Sequence, residues 1–103
     1  MIALVEDRRA EVAEICRRYG VERLDLFGSA AEGGFDPERS DLDFIVAFER
    51  RDPPDLFRRY FGLEEDLENL FGRNVDLVME GALRKDRRFA EALVKERVPI
   101  YAV

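Results

Sequence analysis

Two aspartates at the head of an apolar strand constrain this chain more than any other feature. They stand in Asp41-Leu42-Asp43-Phe44-Ile45-Val46-Ala47-Phe48. Side chains on a strand alternate with period two, so Asp41 and Asp43 share one face while Leu42, Phe44, Val46 and Phe48 share the other. Two carboxylates then occupy one small volume. With oxygens about 6 Å apart and an effective dielectric of roughly 20, their repulsion is about 2–3 kcal/mol, which asks for a counter-charge. A divalent cation is the simplest. Taken alone, Ser40-Asp41-Leu42-Asp43 also fits a solvated turn at the start of a strand.

Upstream, Leu24 and Leu26 alternate with Asp25 and Phe27 as in a half-buried strand, which ends at Gly28-Ser29. A residue without a Cβ lets another group come close to the backbone there. Ser29 can cap a short helix over Ala30-Ala31-Glu32, with Glu32 completing a capping box. The same start offers backbone N–H groups and a hydroxyl to an anion such as the terminal phosphates of a nucleoside triphosphate. Cap and anion site are compatible.

In chain order, Val5, Val12, Ile15, Cys16 and Tyr19 predict an amphipathic helix from about Ile2 to Tyr19, stopped by Gly20. Strand one covers about Val21–Phe27 and strand two about Asp41–Phe48, joined by an excursion containing Gly33, Gly34 and Pro37. After Arg50-Arg51-Asp52-Pro53-Pro54, a second helix carries Leu56, Tyr60, Leu63, Leu67, Leu70 and Phe71 in steps of three or four and stops at Gly72. Gly62 weakens it. Val75-Asp76-Leu77-Val78-Met79 is a short third strand on which Asp76 points away from Val75, Leu77 and Met79. A third helix runs from about Lys85 to Arg97, presenting Phe89, Ala92 and Leu93. Val98-Pro99-Ile100-Tyr101 then reads as an edge strand, because Pro99 cannot donate to a ladder. The predicted fold is one α/β (α+β) domain over residues 1–103, order α-β-β-α-β-α-β. It has a small mixed sheet with helices packed on one face and the carboxylates at one edge.

Composition narrows the chemistry. The 103 residues are enough for one modest core, with no room for a second domain. A net charge of -6 disfavours passive attraction to nucleic-acid backbone, so no direct nucleic-acid binding is expected. No apolar run is long enough for a bilayer and the N-terminal residues lack a signal-peptide pattern, which predicts a cytoplasmic protein without a membrane partner. The single cysteine, Cys16, reads as a buried thiol. With no histidine, Ser-His-Asp and Cys-His catalysis and histidine-based zinc sites are excluded.

An aspartate such as Asp76 on a short strand, taken alone, faces solvent or pairs with arginine. Together with Asp41, Asp43 and the Gly28-Ser29 cradle it changes meaning. Two carboxylates able to bridge a pair of Mg²⁺ ions, and a third to orient and deprotonate a hydroxyl, make a two-metal phosphoryl or nucleotidyl transfer site. One ion activates the attacking oxygen; the other holds the triphosphate and stabilises leaving pyrophosphate, for in-line attack at the α-phosphorus.

Phe27-Gly28-Ser29, Ser40-Asp41-Leu42-Asp43-Phe44-Ile45-Val46 and Val75-Asp76-Leu77-Val78 resemble the signature of minimal nucleotidyltransferases in the polymerase-beta-like superfamily. The likeness covers nearly the whole chain, with a loop between Ser29 and Asp41 one residue longer than the family pattern. The resemblance implies phosphate binding at Gly28 and Ser29 and metal binding at Asp41 and Asp43, with Asp76 as third metal carboxylate or base. Members this small resemble the antitoxin of modules whose partner is a HEPN-type ribonuclease toxin. That resemblance implies Mg²⁺-dependent transfer of AMP from ATP to a tyrosine of the toxin. A chain without an acceptor-holding domain suits a protein partner that supplies the missing wall. Two other readings stay open: a non-catalytic antitoxin that masks its partner by binding, and a transferase for a small hydroxylated acceptor.

The remaining features carry bland expectations. Arg39 reads as an exposed loop residue, and the doublets Arg8-Arg9, Arg17-Arg18, Arg50-Arg51, Arg58-Arg59 and Arg87-Arg88 as solvated faces. Phe57, Phe61 and Phe71 read as core aromatics at helical spacing, with base stacking as the alternative, and Tyr60 reads as core with them.

Overall fold

The apolar alternation of the sequence is realised as a four-stranded mixed sheet with helices on one face. The computed structural model describes residues 3–28, 41–49, 55–80 and 97–103. Its elements are α1 (Ala3–Glu6), α2 (Arg9–Arg18), β1 (Val21–Phe27), β2 (Leu42–Phe48), α3 (Asp55–Phe71), β3 (Val75–Met79) and β4 (Val98–Ala102). The strand order is β3-β2-β1-β4. β1 runs antiparallel to both β2 and β4, whereas β2 and β3 are parallel and need the crossover through α3.

The even-numbered residues of β2 decide which face is covered. Leu42, Phe44, Val46 and Phe48 are buried with Leu24, Leu26, Val75, Leu77 and Ile100 against Val12, Ile15 and Cys16 of α2 and Leu63, Leu67 and Phe71 of α3. The Phe44 and Phe71 rings stack at 6.3 Å between centroids. Cys16 is fully buried here, and burial pushes its thiol up to about 12, so it is inert packing. On the opposite sheet face Phe27 and Ile45 form a smaller cluster with Val78.

Arg59 joins α3 to the end of α2. Its guanidinium donates to Tyr19 O at 2.8 Å and Gly20 O at 2.9 Å and lies 4.9 Å from the Phe48 ring centroid. Carbonyls left over at a helix C-terminus thereby gain a cation where the helix dipole favours one. Gly20 itself has φ 65°, the left-handed turn anticipated for a helix stop. Beside it, Tyr19 crosses so close to Gly62 that a Cβ there would lie 2.5 Å from a ring carbon. The tyrosine hydroxyl donates to Asp66 at 2.7 Å, so Gly62 permits the α2–α3 crossing that its low helix propensity otherwise disfavours.

Several expectations need correction. The first helix is not continuous: Arg8 leaves helical geometry with ψ 12°, and Arg8 N–H closes back on Val5 O at 3.1 Å. The chain turns at Asp7-Arg8 so that both Val5 and Val12 reach the core, a pattern that one helix would also have produced. Arg97 is not helical; it stands just ahead of β4, drawn there by ion pairs to Asp25 and Glu80. Asp25 is not on a solvated face. It is fully buried between Arg97 and Arg23, the latter at 3.0 Å. Arg59 is buried rather than solvated, and Phe57 and Phe61 are exposed rather than core. Ile2, Arg39, the predicted capping segment 29–32, the turn-rich excursion, the Arg50-Arg51 and Arg87-Arg88 doublets and the third helix over residues 85–96 lie outside the described residues.

Candidate active site

The sheet register brings the acidic positions together. β2 is central, flanked by β1 and β3; Asp43 lies opposite Phe27 on one side and opposite Asp76 on the other. Both aspartates are on odd or even positions that point away from the helices, since their neighbours Leu42, Phe44, Val75 and Leu77 all enter the helix-covered core. Leu42 N–H donates to Asn74 O at 3.2 Å, which fixes the start of the parallel pair one residue before Asp43 and Asp76.

Gly28 completes the arrangement. It ends β1 with φ 73°, and a Cβ at this position would overlap the Asp43 Oδ2 atom. The close approach expected at this glycine is therefore made by one of the carboxylates themselves.

Asp43 carries the electrostatic signature of the site. Burial, a side-chain hydrogen bond with Asp76, and the negative charges of Asp76 and Asp41 together push its carboxyl up to about 6. Below about pH 6 the protonated Asp43 carboxyl donates to Asp76. Ion pairs among the described residues engage Asp25, Asp55, Asp66, Glu6, Glu11 and Glu80, and none reaches Asp43 or Asp76. Asp41 is exposed and stands immediately ahead of β2 rather than within it, close enough for its charge to act on Asp43. Among the described residues no three acid, histidine or cysteine side chains form a ready-made metal cage. Asp43 and Asp76 form the close pair. Ser29 lies outside the described residues.

Two α3 residues at the site were not singled out for chemistry by the sequence. Glu64 has its carboxyl raised by burial and by the charges of Glu68 and Asp76, and Tyr60 has its phenol raised by burial, Glu64 and Asp76. Their proximity to Asp76 depends on the packing of α3 against β3, which no local pattern encodes.

An acid pair with no described counter-charge, made wholly of carboxylate oxygens, fits a hard divalent cation. Beside a glycine-lined strand end it is suited to neutralising phosphate charge during group transfer.

The chain is similar to known proteins. A nucleotidyltransferase domain family model matches residues 9–100. Protein adenylyltransferase MntA of Thermococcus cleftensis is 38% identical over 89 residues, spanning 86% of this chain and 84% of that protein. A solved structure assigned as a minimal nucleotidyltransferase is 39% identical, with a TM-score of 0.66 over 91% of this chain and 90% of that one. The complex of tri-AMPylated Shewanella oneidensis HEPN toxin with MNT antitoxin contains a chain with the same fold. Its TM-score is 0.66 over 96% of this chain and 73% of that one, at 15% identity.

Proposed function

The chain belongs to the nucleotidyltransferase domain family, and from that premise we propose that it is an Mg²⁺-dependent protein adenylyltransferase. It moves AMP from ATP to a tyrosine hydroxyl of a HEPN-type toxin and so acts as the antitoxin of the pair. The observation that carries this reading is the opposed Asp43–Asp76 pair with Gly28 against it. The name of the Thermococcus cleftensis relative and the AMPylated toxin in the Shewanella oneidensis complex support the reaction and the partner class.

Each site residue has a role in this reading. Asp41, Asp43 and Asp76 would hold Mg²⁺, as two ions, which when bound would neutralise triphosphate charge and favour the ionised acceptor hydroxyl. Gly28 leaves room for the Asp43 carboxylate beside the strand end, and Gly28 with Ser29 would receive the phosphates. The acceptor oxygen attacks the α-phosphorus, a P–O bond to it forms, the bond to pyrophosphate breaks, and Asp76 takes the hydroxyl proton. No described helix is long and apolar enough to cross a membrane.

Labelled ATP tests the reaction. Label at the α-phosphate should enter the HEPN-type partner and label at the γ-phosphate should not, with Asp76→Asn transferring neither. Entry of γ-label would mean phosphoryl rather than nucleotidyl transfer, and unchanged α-label with Asp76→Asn would remove the role given to that residue.

A further inference from the structure

One side of α3 runs beside Asp76 and is half aromatic, half acidic. Phe57, Phe61, Glu64 and Glu68 follow at steps of four, three and four, so they form a single row along the helix. The acidic half is clipped to β3. Glu68 accepts the Val75 N–H at 3.2 Å, and Tyr60, from the adjoining row, donates its hydroxyl to Leu77 O. These bonds engage the backbone on both sides of Asp76, so the row lies along the β3 edge of the sheet, next to the site. Asp76's charge accordingly reaches Tyr60 and Glu64.

The aromatic half faces outward. Phe57 and Phe61 are 61% and 58% exposed, whereas Leu63, Leu67 and Phe71 of the same helix are buried. Phe61 meets the Tyr60 ring edge-on at 5.1 Å, which holds it upright beside the site. Two phenyl rings one helical turn apart on a convex surface are not a pocket for a small molecule. They are knobs, and what covers them must bring the hollow.

We propose that this row is the docking surface for the protein that carries the acceptor hydroxyl. The partner supplies an apolar depression for Phe57 and Phe61 and a basic side chain facing Glu64, beside the hydroxyl delivered to Asp76. Charge selects that occupant: Glu64, Glu68 and Asp76 face it with one sign, and the nearby Arg58 is already bound to Asp55 at 2.6 Å. A second copy of this chain would meet the row with the same acidic residues. The inference rests on the protein-acceptor reading above.

The experiment compares wild type, the Phe57→Ser/Phe61→Ser double variant and Glu64→Lys on the HEPN-type partner. It reads KM and kcat for transfer, Kd by calorimetry, and thermal melting of each chain. The double variant should raise KM and Kd roughly ten- to a hundredfold, with kcat at saturating partner within about twofold and melting unchanged. Glu64→Lys should raise KM and flatten the dependence of binding on salt. Unchanged KM and Kd in the double variant would overturn the surface, as would a wild-type dimer that the double variant makes monomeric. If wild type transfers nothing, the acceptor reading fails, and Kd alone still decides whether this row is where the partner sits.

Discussion

Asp43 and Asp76 stand opposite one another across the parallel β2–β3 pair, joined by a side-chain hydrogen bond and approached by no described cation. Each strand alone presents one acid in an apolar run. Their opposition comes from the register, which Leu42↔Val75 sets one residue earlier.

The pair makes the metal-free protein sensitive to pH in a definite direction. Asp43 binds its proton more tightly folded than unfolded, because its carboxyl is raised from 3.8 to about 6. The native state therefore holds an extra proton between those values, and that contribution is fully present below about 4 and lost as pH rises through about 6. Asp43→Asn cannot ionise. In chelator, the melting temperature of wild type relative to Asp43→Asn should fall between pH 4 and pH 7; a constant difference would show that Asp43 titrates normally.

Divalent cation must compete with that proton. Adding Mg²⁺ should raise the melting temperature at pH 7.5 much more than at pH 5, and binding near pH 6 should release protons measurable by calorimetry in buffers of different ionisation enthalpy. Asp76→Asn should abolish the Mg²⁺-induced rise. A rise equal at both pH values would place the ion elsewhere.

Gly28→Ala should impair both stability and activity. A non-glycine residue at φ 73° costs on the order of 1 kcal/mol before the new methyl group displaces the Asp43 carboxylate. Denaturant titration should show a loss of about 1–3 kcal/mol, with transfer falling further than stability explains. Wild-type transfer by a folded Gly28→Ala protein would remove this glycine from the site.

Asp25 holds the fold rather than the reaction. It is fully buried between Arg23 and Arg97, and Arg97 also binds Glu80, so one guanidinium ties the end of β3 to β1 and to the approach of β4. Asp25→Ala removes the fully buried carboxylate that Arg23 and Arg97 share, leaving Arg97 only Glu80, and should lower unfolding free energy by about 3 kcal/mol in urea. A loss under about 0.5 kcal/mol would indicate that water replaces the carboxylate.

How far the sequence reveals this molecule depends on the range of each interaction. β1 and β3 occupy the residues expected of them, because period-two alternation is local and Gly20 and Gly72 punctuate it with positive φ. The two acids of β2 and β3 were legible for the same reason, and so was the glycine that admits one of them. The break at Asp7-Arg8 was not, since Val5 and Val12 keep helical spacing across it. Asp25 read as half-exposed because its partner Arg97 is 72 positions away, and Arg59 read as solvated because its acceptors are carbonyls of another element. Phe57 and Phe61 have core-like spacing from Tyr60 and Leu63 but sit on a flank of α3 that no described element covers.

Intact mass of the HEPN-type partner after incubation with this protein, ATP and Mg²⁺ tests the central claim most directly. The expected result is a mass gain of whole AMP units, absent with Asp43→Asn and with chelator. A partner of unchanged mass in a stable complex with the wild-type chain would contradict it, and would make this protein an antitoxin that acts by covering its partner.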